Sequence, residues 1–113
     1  MKVSRYLDAQ ATAELPGVIK REVINAADGA PNFCMRVFEV APGVSTPLHS
    51  HPWEHEVYIL SGEAVVKGEQ GEVQVGKDSA IYIPPNEQHC FMNQKDEPLR
   101  FICVIPMAQS CQA

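Results

Sequence analysis

The stretch Gly43-Val-Ser-Thr-Pro-Leu-His49-Ser-His51-Pro-Trp-Glu-His55, closed by Gly62, governs how the rest of the chain is read. It holds three of the four histidines of the sequence. In extended backbone, side chains at i and i+2 share a face. His49 and His51 then point the same way, about 7 Å apart along the chain. Two imidazoles on one face build a poor core and a good metal cradle, since neutral imidazole is a strong ligand for divalent ions. The fourth histidine, His89, stands in a second punctuated run, Pro84-Pro-Asn-Glu-Gln-His89-Cys-Phe-Met-Asn93. If all four converge, the chain carries a four-histidine metal site.

Strand parity selects among the neighbours. From Trp53 to Leu60 the odd positions are Trp53, His55, Val57 and Ile59, and the even ones are Glu54, Glu56, Tyr58 and Leu60. With His51 inward and the register kept, His55 is inward too, while Glu54 and Glu56 face away. Each of those carboxylates is an alternative ligand, an acceptor for the second N–H of a ligating imidazole, or part of a solvated face. By the same rule His89, Phe91 and Asn93 share a face. Trp53 and Phe91 read equally as pocket wall and as core. Tyr58 and Tyr82 read as core residues with satisfied hydroxyls. Arg36 and Arg100 read as exposed strand arginines rather than as contacts to an anionic substrate.

The surrounding chain is that of one small globular domain. It has 113 residues, 45% hydrophobic and 20% charged, an ordinary globular composition. Breakers recur at short intervals, among them Pro16-Gly17, Asp28-Gly29, Pro42-Gly43, Ser61-Gly62 and Pro84-Pro85. The runs between them, rich in Val, Ile, Phe and Tyr, are 18–24, 33–40, 56–60, 64–67, 73–75, 80–83, 89–92 and 99–105. Short β-forming runs at this spacing predict an all-β sandwich or barrel. Residues 5–15 are expected to form a short helix. Residues 1–32 form an N-terminal extension with edge strand, 33–106 the barrel and 107–113 a tail. Glu69-Gln70-Gly71 predicts a hairpin loop. Pro84-Pro85-Asn86 ends a ladder, because two successive amide donors are missing.

A net charge of −5 argues against nucleic acid or an anionic membrane as partner. No apolar run approaches the ~20 residues that span a bilayer. The start, Met1-Lys-Val-Ser-Arg-Tyr-Leu-Asp8, lacks a signal-peptide core, so the cytoplasm is the expected location. Cys34, Cys90, Cys103 and Cys111 show no zinc-type spacing. Cys34 and Cys103 are expected as free buried thiols, Cys111 as exposed, and Cys90 as facing away from His89.

The two runs together resemble the motifs of the cupin superfamily. In the first, Gly43, His49, His51, position 55 and Gly62 stand at the family's spacing, with His55 where that motif usually carries glutamate. In the second, Pro84, Pro85, Asn86, His89 and Asn93 match from the proline onward, with Asn86 in place of a glycine. The string from His49 to Glu56, with Asn86-Glu-Gln-His89 and the segment from Asp28 to Phe38, is similar to small single-domain bacterial cupins. The resemblance implies a jelly-roll barrel with a divalent ion, often manganese, on His49, His51, His55 and His89, and a homodimer.

Four neutral ligands leave such an ion about +2, against about +1 with a glutamate in the set, which favours an anionic partner. Imidazole-rich sites also suit Zn, Cu, Fe and Ni. The expected function is therefore a metal-dependent oxidoreductase using dioxygen or peroxide on a small, anionic organic substrate. The alternatives are a non-enzymatic metallo-cupin that senses or stores a small molecule and, less favoured, an isomerase or lyase. No catalytic acid or base is assigned by the sequence.

Overall fold

The structure is a computed structural model that describes residues 1–107. Its centre is the pairing of β3 (Phe33–Val40) with β9 (Leu99–Pro106), antiparallel over their full lengths. In β9 the burial alternates strictly, with Leu99, Phe101, Cys103 and Ile105 inward. Directly paired residues of an antiparallel ladder lie on the same face. The register sets Val40 against Leu99, Phe38 against Phe101, Arg36 against Cys103 and Cys34 against Ile105. One face of two strands thus furnishes half of the core.

Around this pair, β2 (Val18–Ile24) joins β3, and β4 (His55–Ser61) joins the other side of β9. β1 (Ala11–Leu15) and β7 (Ala80–Ile83) complete a six-stranded sheet of order β1-β2-β3-β9-β4-β7. A second sheet has the order β6-β5-β8, made of β5 (Ala64–Gly68), β6 (Gly71–Val75) and β8 (Cys90–Met92). Sequence neighbours β3 and β4 are separated by β9, the crossed connectivity of a jelly roll. The sheets meet through an aromatic stack. Phe101 of the first sheet lies between Phe38, at 5.2 Å, and Phe91 of the second, at 4.6 Å between ring centres. Such pairs add about 1 kcal/mol each beyond area burial.

Turn chemistry fixes how strands enter the site. At Gly62, φ is +83°, and a Cβ would lie 2.5 Å from the Pro98 carbonyl oxygen, so glycine is required twice over. Asn86 also takes a left-handed conformation, φ 71°, which asparagine tolerates. Its N–H donates to the His51 carbonyl at 2.6 Å, tying the two histidine segments together. Asn93 is 1% exposed; its Nδ2 donates to the Val40 and Glu97 carbonyls, and its Oδ1 accepts from the Lys95 N–H.

Several expectations change here. Residues 5–15 form no helix longer than a 3-10 turn, Tyr6–Asp8, followed by β1. Ala11–Leu15 pairs with β2, and this partner outweighs the weak helical propensity. Tyr58 and Tyr82 are 43% and 60% exposed rather than core, and the Tyr58 hydroxyl donates to Asp78 at 2.9 Å. Cys34 is buried but disulfide-bonded, not free; Cys90 and Cys103 are free. Cys111 lies outside the described residues. The loop Glu69-Gln70 closes the β5–β6 hairpin at Gly68 and Gly71, one residue earlier than expected.

Candidate metal centre

His49 and His89, distant in sequence, form a bridge in which each N–H donates to the other's carbonyl, at 3.2 and 2.9 Å. This puts both side chains on one face, with ring centres 5.0 Å apart. His51 follows two residues after His49 and lies 4.6 Å from it, centre to centre. Pro52 interrupts the strand, and β4 begins at His55, which is 3% exposed. Its ring lies 4.8 Å from His89 and 5.3 Å from His51. Glu54 and Glu56 are exposed, as parity predicts.

The residues present can be tested against a divalent ion. An imidazole bound at about 2.1 Å places its ring centre roughly 3.2 Å from the ion, so two rings side by side on it are roughly 4.5–5.2 Å apart. Four of the observed separations, 4.6, 4.8, 5.0 and 5.3 Å, match that spacing within about 0.1 Å; the fifth, His51 to His89 at 6.5 Å, matches rings on opposite sides. Among the described residues no three His, Cys, Asp or Glu side chains form a ready-made coordination sphere. What the fold supplies is ring placement rather than formed nitrogen contacts.

The donor chemistry fits as well. Nε2 of His51 and Nδ1 of His55 are buried without a hydrogen-bond partner, a costly condition unless a ligand completes them. Nδ1 of His89 lies 2.9 Å from the Glu87 carbonyl. Donating there fixes the tautomer and leaves Nε2 as a lone-pair donor. Burial, then repulsion from neighbouring imidazoles and Arg36, lowers the His51 pKa to about 4 and that of His55 to about 3. Burial first, then His89, also lowers His49. These three are neutral at pH 7, the form that ligates. Trp53 stacks on His51 at 4.4 Å and 7°, its indole N–H buried without a partner. Trp53 therefore walls the site, and Phe91 belongs to the core stack.

Arg36 corrects the reading of an exposed arginine. It is 1% exposed, and its Nη2 donates to the Cys103 sulfur at 2.9 Å. The signal lay in β3, where Arg36 shares parity with Cys34, Phe38 and Val40. Arg100 is half-buried, its guanidinium 4.9 Å from the Tyr6 ring centre. Cys90 pairs with Lys67 in the second sheet, and burial raises its thiol pKa.

The family profile described as Cupin_2, cupin domain, matches residues 36–105. The chain belongs to the cupin family. The polyketide cyclase RemF from Streptomyces resistomycificus superposes with a TM-score of 0.86 at 38% identity, covering 95% of this cupin and 80% of that chain. The tetracenomycin polyketide synthase protein TcmJ of Streptomyces glaucescens is 30% identical over 82 residues, 71% of this chain and 55% of its own. The mannose-1-phosphate guanylyltransferase RfbM of Salmonella typhimurium is 37% identical over 81 residues, 69% of this chain but 16% of its own. The cupin thus spans about half of one of these curated relatives and a small part of the other. No helix among its described residues is long and apolar enough to cross a membrane.

Proposed function

We propose that this cupin holds a divalent metal ion on His49, His51, His55 and His89 and acts on a carbonyl group or oxygen anion of a small organic substrate. The observation that carries the reading is the gathering of four imidazoles, with ring centres 4.6–6.5 Å apart in five of their pairs and two of the rings bearing buried, partnerless nitrogens. When bound, the ion supplies Lewis-acid polarisation of a substrate oxygen. The chain's own part is to keep His49, His51 and His55 neutral by burial, to fix the His89 tautomer through Glu87, and to wall one side with Trp53. Likeness to a polyketide cyclase over 95% of the chain favours carbonyl activation over the dioxygen or peroxide oxidoreduction expected from sequence. It equally favours turnover over storage or sensing. Manganese rests on the family resemblance, while four imidazoles also suit zinc, iron, nickel or copper.

Elemental analysis of the purified protein tests the reading. It should give one divalent ion per chain, and His55→Ala should weaken retention at least tenfold. Unchanged metal content in His55→Ala would remove His55 from the site and point to Glu54 or Glu56. We further propose a homodimer. Ile24 and Phe33, 41% and 66% exposed, border an apolar hollow beside Met35 and Val104, and an exposed apolar face of this kind favours a second copy. Light scattering after size exclusion measures the mass; a monomer at micromolar concentration would refute it.

A further inference from the structure

The carbonyl that meets Nδ1 of His89 at 2.9 Å belongs to the peptide unit joining Glu87 to Gln88. The N–H of that same unit, on Gln88, donates to Oε2 of Glu69 at 3.5 Å. The peptide is trans, so its N–H and C=O point in opposite directions. Holding the N–H toward Glu69 therefore aims the carbonyl the other way, at the His89 ring.

Glu69 is held in turn. It stands in the two-residue loop between β5 and β6, and its own N–H donates to Oε2 of Glu87 at 3.2 Å. Gly68 makes room for that carboxylate, since a Cβ there would lie 2.6 Å from the same oxygen. The hairpin tip and the loop before β8 are thus joined by two bonds of reciprocal sense. In each, the side chain of one glutamate accepts an N–H from the segment of the other. The groups stand in the order carboxylate, peptide, imidazole. A carboxylate accepting from a peptide N–H polarises the unit and strengthens its carbonyl as an acceptor. A stronger acceptor at Nδ1–H raises the basicity of Nε2, as a carboxylate bonded directly to a ligating histidine does.

We propose that Glu69 is a positioning residue, a role that rests on the metal-centre reading above: through the Glu87–Gln88 peptide it holds His89 with Nδ1 protonated and Nε2 free to ligate. Nothing in the sequence near Glu69 signals this, because the residue it serves lies twenty positions further on.

Nitrogen-15 NMR of the chelated full chain reads the His89 tautomer, since protonated and bare ring nitrogens resonate far apart. The wild type is expected in the Nδ1–H form and Glu69→Ala in a mixture with the Nε2–H form. Glu69→Gln keeps an accepting oxygen of the same reach and should recover most of the Nδ1–H form. Zinc affinity, measured by competition with a chelator, should fall about tenfold in Glu69→Ala. That is the low end for outer-shell partners of a metal ligand, because the Gln88 contact is long. It should largely return in Glu69→Gln. Glu69 is exposed in its turn, so both variants are expected to fold. An Nε2–H His89 in the wild type overturns the proposal, as does a Glu69→Ala protein whose tautomer or zinc affinity equals that of the wild type. If the wild type takes up no zinc, the metal-centre reading fails, while loss of the Nδ1–H form in Glu69→Ala still establishes Glu69 as the residue that orients His89.

Discussion

Asn93→Ala separates what the second motif does for the fold from what it does for the metal. Asn93 is 1% exposed and makes three side-chain hydrogen bonds: to the Val40 carbonyl at 3.0 Å, to the Glu97 carbonyl at 2.8 Å, and from the Lys95 N–H at 3.1 Å. A net contribution of about 1 kcal/mol per bond gives about 3 kcal/mol, and stranding the buried Val40 carbonyl adds about 1 kcal/mol. The Lys95 N–H is near the surface and turns to water at little cost. A loss of about 3–4 kcal/mol corresponds to a fall in Tm of roughly 12–16 °C at about 4 °C per kcal/mol. Urea unfolding followed by the fluorescence of Trp53, the single tryptophan, measures it directly. Asn93→Asp sets a carboxylate against two carbonyls and should be no better than alanine. Metal per folded chain should stay unchanged, since Asn93 is outside the ring cluster. A loss below about 1 kcal/mol for Asn93→Ala, or wild-type stability in Asn93→Asp, would refute the account of this side chain as a three-way tie.

Chelation should lower Tm by roughly 10 °C in protein first held at about 100-fold excess of ion over Kd, equivalent to about 2.7 kcal/mol; an unchanged melt counts against the metal site. In the chelated protein, stability should fall as pH drops from about 6.5 toward the His51 and His55 values of about 4 and about 3. The sign follows from linkage: the unfolded chain takes up these protons first, and the folded one resists them. Urea midpoints that stay flat between about pH 7 and 5 would contradict it. Gly62→Ala should cost about 2–4 kcal/mol, from left-handed strain plus a Cβ 2.5 Å from the Pro98 oxygen; a loss under about 1 kcal/mol in chemical denaturation would show that the Pro98 segment yields.

Much of this was legible from local chemistry. Phe33–Val40 and Ala80–Ile83 read as strands with the observed bounds, because breakers flank uninterrupted β-forming runs. Parity placed His55 inward and its glutamate neighbours outward. What stayed hidden depended on partners. Ala11–Leu15 is a strand because β2 lies beside it, and no local pattern announces a neighbour. Arg36 had the inward parity of Phe38, but a charged residue is so rarely buried that parity lost to type. The approach of His49 to His89 rests on backbone hydrogen bonds that join 43–51 to 86–93, among them the reciprocal His49–His89 bridge, between segments distant in sequence.

The placement of β9 has a consequence for synthesis. Residues 99–106 lie between β3 and β4 in the larger sheet, so that sheet has no centre until they have left the ribosome. Until then β3 and β4 hold open ladder edges that only a distant segment can close. Such non-local closure is slow, and exposed edges invite pairing with other chains. The barrel is therefore assembled after translation of this segment rather than during it, and the late arrival of β9 is the step at which a chaperone would matter most.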